Sequence, residues 1–130
     1  MEEPRSLLQA LRATPLYRFT TRGNFDALAA ATLFDEPVAV VEASLGASLG
    51  LLALTDSEIV YATSRASRKP KIVRWNRDAV VDVTYQLHKT SGALAFSAGG
   101  TEHRFKAISP VGDLQAFALR LSATAIWLDG

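Results

Sequence analysis

The stretch Gly50-Leu-Leu-Ala-Leu-Thr-Asp-Ser-Glu-Ile-Val-Tyr-Ala62 constrains the fold of this chain more than any other. An uncharged apolar run stops at Thr55-Asp56-Ser57, and a second apolar run begins after Glu58. Thr, Asp and Ser side chains bond their own backbone in reversals, so the break reads as a tight turn. Two short apolar runs joined this way form a β-hairpin with one or both faces out of water. The rest of the chain then reads as further strands added to this hairpin, with a helix laid across them.

Strand-like segments follow one another closely. Val38 to Ser44 precedes the hairpin, and Ile72 to Trp75, Val80 to Leu87, Ala93 to Ser97 and Glu102 to Ile108 follow it. Thr90-Ser91-Gly92 and Gly99-Gly100 supply two of the turns. In the last strand, His103 and Phe105 face opposite to Arg104 and Lys106. Ser109-Pro110 opens a helix whose apolar face is Val111, Leu114, Phe117, Ala118, Leu121, Ala125 and Leu128. Ahead of the strands, Pro4 starts a short helix with the stripe Leu7, Leu8 and Leu11, which Pro15 stops. Asn24 reads as the N-cap of a second helix running to Leu33. The pattern is mainly β with helices, an α+β chain. Seven antiparallel strands with a terminal amphipathic helix point to a closed or nearly closed barrel over residues 33–130, preceded by a helical extension over residues 1–32.

Composition narrows the function classes. With 130 residues the chain is one domain able to bury a single core. It has no cysteine, which removes disulfides, thiolate metal sites and cysteine nucleophiles and fits a reducing cytoplasm. The start, Met-Glu-Glu-Pro-Arg, lacks the basic-then-apolar pattern of a signal peptide. The uncharged stretch from Ala43 to Thr55 is too short to span a bilayer as a helix, so a soluble protein is expected. A net charge of only +1 argues against bulk nucleic-acid binding. The positive charge is nevertheless concentrated: Arg65, Arg68, Lys69, Lys71, Arg74 and Arg77 fall within residues 61–77, where there is no acid.

The order of these residues resembles a known family. Gly50-Leu-Leu-Ala-Leu-Thr-Asp-Ser-Glu-Ile-Val-Tyr61 is similar to the "G-x-L-x-x-T-x-x-R-L-hydrophobic-F" hairpin of bacterial pleckstrin-homology-like domains of the YokE type, related to GRAM domains. Ile72-Val-Arg-Trp75 and Ala79-Val-Val-Asp-Val83 resemble that family's fourth and fifth strands. Ala93-Leu-Ala-Phe96, the Gly-Gly turn, Phe105 and Leu114 to Leu121 resemble its closing hairpin and helix, and Leu33-Phe-Asp-Glu36-Pro-Val its entry to the first strand. The resemblance covers roughly residues 33–122 and implies a seven-stranded barrel closed by a C-terminal helix. These are packing motifs, which carry fold better than function. Glu58 stands where the family has a basic residue, so no ligand contact is carried over there.

Three constellations could carry chemistry. Gly46-Ala-Ser48-Leu-Gly50 spells the G-x-S-x-G nucleophile elbow, but that motif needs a strand, a strained turn and a helix, and strand-like residues follow here. His88 and His103 are the only imidazoles, and with Asp82 they show no metal-ligand spacing. No catalytic residue, metal or cofactor is assigned. The basic loop over 65–74 is the third. Under the resemblance, Arg65, Arg68, Lys69, Lys71 and Arg74 share a rim with Leu45 and Leu49, a possible contact for anionic lipid or phosphate; the bland reading is a solvated hairpin loop. Leu7, Leu8 and Leu11, with Leu16, Tyr17 and Phe19 nearby, read either as a protein or homo-oligomer contact or as a helix packed on its own barrel. The expected function is a non-enzymatic interaction module working through protein contact or self-association, with a peripheral binder of anionic lipid or phosphate as the alternative.

Overall fold

The computed structural model describes residues 22–32, 35–45, 48–64, 71–87, 92–107, 111–122 and 124–127. Expectations that involve Leu7, Leu8, Leu11, Arg65, Arg68, Lys69, His88, Ser109, Pro110 or Leu128 lie outside the described residues. The described chain runs α1 (Arg22–Ala31), β1 (Ala39–Leu45), β2 (Ser48–Leu54), β3 (Glu58–Thr63) and β4 (Lys71–Asn76). A 3-10 turn (Arg77–Ala79) then leads to β5 (Val80–Leu87), β6 (Gly92–Ala98), β7 (Thr101–Ala107), α2 (Val111–Leu121) and a two-residue β8 (Ile126–Trp127).

The hairpin forms where the sequence places it. Leu54 pairs with Ile59 and Ala53 with Val60. The Thr55 amide donates to the Glu58 carbonyl at 2.9 Å. The Thr55 hydroxyl oxygen accepts the Ser57 and Glu58 amides at 3.3 and 2.9 Å, so this side chain closes the turn.

β1 to β4 form one antiparallel meander and β5 to β7 another. They meet where β1 pairs with β7 through Ala43↔Ala107 and Ser44↔Lys106. The sheet order is β4-β3-β2-β1-β7-β6-β5-β8. The sequence points to a closed or nearly closed barrel, and among the described residues the strands form an open eight-stranded sheet with β4 and β8 at its two ends. The turn over Arg77–Ala79 carries the chain from β4 to β5 without pairing those strands.

The main core lies on the inner face. Val41, Leu52, Leu54, Ile59, Tyr61, Leu94, Phe96 and Phe105 pack there with Leu114, Phe117, Ala118 and Leu121 of α2. A second cluster occupies the outer face of the first meander, where Ala27 and Leu28 of α1 join Val40, Leu51, Ala53, Val60 and Ala62. β2 and β3 are thus buried on both faces, which explains their unbroken apolar runs. Glu42 of β1 is also completely buried, on the same face as Val40.

Two helix expectations are corrected. Asn24 is the third residue of α1 and not its cap. Its amide is used in tertiary bonds: Nδ2 donates to the Leu49 carbonyl at 3.2 Å and Oδ1 accepts the Ser64 amide at 2.7 Å. The terminal helix ends at Leu121 and does not continue to Ala125. The Ser122 hydroxyl accepts the Thr124 amide, a local bond that competes with helix continuation, and Ile126-Trp127 are extended. Among the described residues, no helix is long and apolar enough to cross a membrane.

Gly50 permits the closest approach in the hairpin. A Cβ there would lie 2.4 Å from the Ala62 carbonyl oxygen and 3.0 Å from the Tyr61 ring. The neighbours are backbone and a fully buried ring, which cannot move aside cheaply. Gly50→Ala is therefore expected to destabilise the fold by about 2–3 kcal/mol in urea denaturation. A Cβ at Gly99, which has φ +60°, would meet no atom within 4 Å, so Gly99→Asn is expected to change stability by less than about 1 kcal/mol.

Candidate functional site

Arginines clamp the helices to the sheet. Arg74 of β4 donates Nη2–H to the Ala31 carbonyl at the end of α1 at 2.6 Å, and its Nη1 meets Glu58 at 3.1 Å. Arg77 donates to the Thr55 carbonyl at 3.0 Å and to the Arg120 carbonyl at 2.7 Å. Arg120 in turn donates to the Val38 carbonyl at 2.9 Å. A guanidinium suits this work because its donors form a rigid fork and its charge complements the carbonyl end of a helix. Two cations of the basic segment, Arg74 and Arg77, thus act as internal ties.

The rest of the expected rim is only partly described. Lys71 is exposed at the first position of β4, paired with Thr63. Leu45 and Leu49 are half-buried. Leu45 packs against the main core, and the Leu49 carbonyl accepts the Thr63 hydroxyl at 2.8 Å. Ser48 begins β2, and a strand follows it where a nucleophile elbow would need a helix. Its carbonyl accepts the Tyr61 hydroxyl at 2.7 Å.

His103 points into an aromatic cluster. The Trp75 indole donates Nε1–H to His103 Nε2 at 3.2 Å, with ring centroids 4.9 Å apart. An imidazole that accepts at Nε2 carries its proton on Nδ1. Trp75 also meets the edges of Phe96 and Phe105 at 5.3 and 5.9 Å. Among the described residues, no group of three or more His, Asp or Glu side chains could hold a metal ion.

Two groups have shifted pKa values. Burial pushes the Tyr61 phenol up from its ordinary value of 10.0. Hydrogen bonds from the Ser57 and then the Thr55 hydroxyl lower the Asp35 carboxyl from its ordinary 3.8. The Asp35–Ser57 contact ties the approach to β1 to the β2–β3 turn.

The most exposed large apolar side chains lie on adjoining strands at one end of the sheet. Val81 of β5 is 55% exposed, and Ile126 and Trp127 of β8 are 58% and 59% exposed. β8 runs parallel to β5 and pairs only Ile126 with Thr84 and Trp127 with Tyr85. The ladder to β6 is irregular between Val81 and Thr84, where Asp82 adopts φ 55°. The outer face beside this edge carries a shallow depression lined by Thr84, Tyr85, Gln86, Ala93, Ala95 and Arg104.

Sequence reasoning missed this edge because helical spacing was extended through Ala125 and Leu128. The signal against that extension was Ser122-Ala-Thr124, polar and β-branched residues directly before Ile126-Trp127. No protein-family model and no curated protein matches the chain.

Two outcomes follow from these ties. Arg77→Ala removes both carbonyl bonds and is expected to lower stability by about 1–3 kcal/mol in urea denaturation. A raised phenol pKa favours the neutral form in the fold, so the contribution of Tyr61 is complete below pH 10.0 and fades as pH rises through the folded value. Tyr61→Phe is therefore expected to flatten the alkaline fall in melting temperature above pH 10.0, read by circular dichroism.

Proposed function

We propose that this chain is a non-enzymatic interaction module, a pleckstrin-homology-like domain of the cytoplasm that works through protein contact, first of all with itself. The domain reading is supported by a four-stranded and a three-stranded antiparallel meander followed by a helix packed on the inner face. The observation that carries the function is the exposure of Val81, Ile126 and Trp127 on the two strands of the open β5–β8 edge. β8 holds to β5 through two register pairs while more than half the surface of both its side chains stays in water. Large apolar side chains left in water along an open sheet edge are the kind of surface that another chain covers.

The alternative, an anionic lipid or phosphate ligand at the basic loop, would rely on Lys71 with Arg65, Arg68 and Lys69. Arg74 is held by Ala31 and Glu58. Light scattering on the full chain from micromolar to several hundred micromolar tests the preferred reading. The expected result is a mass that rises with concentration and falls towards one chain in Ile126→Ser/Trp127→Ser. A single-chain mass for the wild type throughout that range would contradict it.

A further inference from the structure

The two halves of the sheet differ on their outer face. Over the first meander that face is covered by α1. Over the second, the described helices leave it uncovered, since α2 packs on the inner face. The register aligns this uncovered face across four strands. Ile126 pairs with Thr84, Thr84 with Ala95, and Ala95 with Arg104. The neighbouring row runs from Gln86 through Ala93 to Lys106.

The result is a trough with Ile126 as one wall, Arg104 and Lys106 as the other, and Thr84, Gln86, Ala93 and Ala95 as its floor. Its walls lie three strand spacings apart, about 14 Å, and a ten-residue α-helix laid across the strands is about 15 Å long. The depression found on this face lies along that floor. The charge is asymmetric: one wall is apolar, while the other holds Arg104 and Lys106 with Glu102 beside them. Glu102 meets Arg104 at 3.2 Å, but both side chains are more than half exposed, so this pair is weak and easily exchanged. A matching occupant is a short helix with an apolar stripe and an acidic end.

The chain's own sequence contains that chemistry. Residues 2–11, Glu-Glu-Pro-Arg-Ser-Leu-Leu-Gln-Ala-Leu, combine an acidic start with the stripe Leu7, Leu8 and Leu11. We propose that this segment of a second copy seats in the trough, its leucines over Ala93, Ala95 and Ile126 and Glu2 and Glu3 towards Arg104 and Lys106. The inference rests on the self-association reading and adds the contact that performs it. One such contact is small, but a twofold axis makes it twice, each copy lending its segment to the other.

Charge exchange in the full chain tests the proposal. Arg104→Glu/Lys106→Glu and Glu2→Lys/Glu3→Lys are each expected to weaken self-association about tenfold by sedimentation, and the four changes together to recover most of the loss. The chain has no cysteine, so Gln9→Cys accepts a single nitroxide. Mixed with isotope-labelled wild type, the nitroxide chain is expected to broaden the amide signals of Thr84, Ala93 and Ala95 in the labelled copy. Association that survives both charge reversals, or broadening elsewhere on the labelled copy, overturns this contact while leaving the self-association reading intact. In the reverse mixture, isotope-labelled nitroxide chain diluted into unlabelled wild type, broadening of those amides within the nitroxide's own chain overturns the second copy as occupant. A single-chain mass at every concentration overturns both.

Discussion

One sheet has to serve two different environments, and the rest of the molecule follows from that constraint. β2 and β3 are buried on both faces, so Leu51-Leu52-Ala53-Leu54 and Ile59-Val60-Tyr61-Ala62 are apolar without interruption. β5 to β7 bury mainly their inner face, so Val83, Tyr85, Leu94, Phe96 and Phe105 alternate with Thr84, Gln86, Ala93 and Arg104, and Ala95 alone is buried on the outer side among the described residues. The doubly buried half needs α1 to cover its outer face. Asn24 and the Arg74–Ala31 bond hold that helix down at its two ends. Over the singly buried half, the described helices leave the outer face uncovered, and the proposed contact between copies uses that face.

Among the described residues, two register pairs join β1 to β7, and side chains also hold the two halves face to face. Tyr61 and Phe105 approach at 5.5 Å across the core, and Trp75 reaches Phe96, Phe105 and His103 from the far end of the sheet. Such ring pairs contribute about 0.5–1.5 kcal/mol each beyond the area they bury. Their geometry brings β4 over β6 and β7 without closing the backbone ring. The arginine ties from Arg77 and Arg120 then fix the end of α2 against the β2–β3 turn and the entry to β1.

The sequence made the hairpin plain because its signals agree: two uncharged runs, a Thr-Asp-Ser turn and a glycine where Tyr61 must approach. The strand count through β7 was legible for the same reason. Asn24 misled because a capping amide and a tertiary-bonding amide are identical in sequence; only the position of Leu49 and Ser64 in space separates them. Arg74 and Arg77 stood in a basic run that suggested a ligand, whereas they bond main-chain carbonyls distant in sequence and, for Arg74, the Glu58 carboxylate. Ile126 and Trp127 were hidden by a periodicity that continued by chance past Leu121. Glu42, one charged residue in an apolar strand, gave no sign that its face would be buried.

The proposal with most depending on it is that another copy covers the β5–β8 end of the sheet and not the β4 end. Amide hydrogen exchange on the full chain, compared at low and high protein concentration, addresses it most directly. Slower exchange at high concentration over Val81–Leu87 and Ile126–Trp127, with Lys71–Asn76 unchanged, is the expected result. Protection that appears only along Lys71–Asn76, or exchange independent of concentration at both ends, would contradict the account.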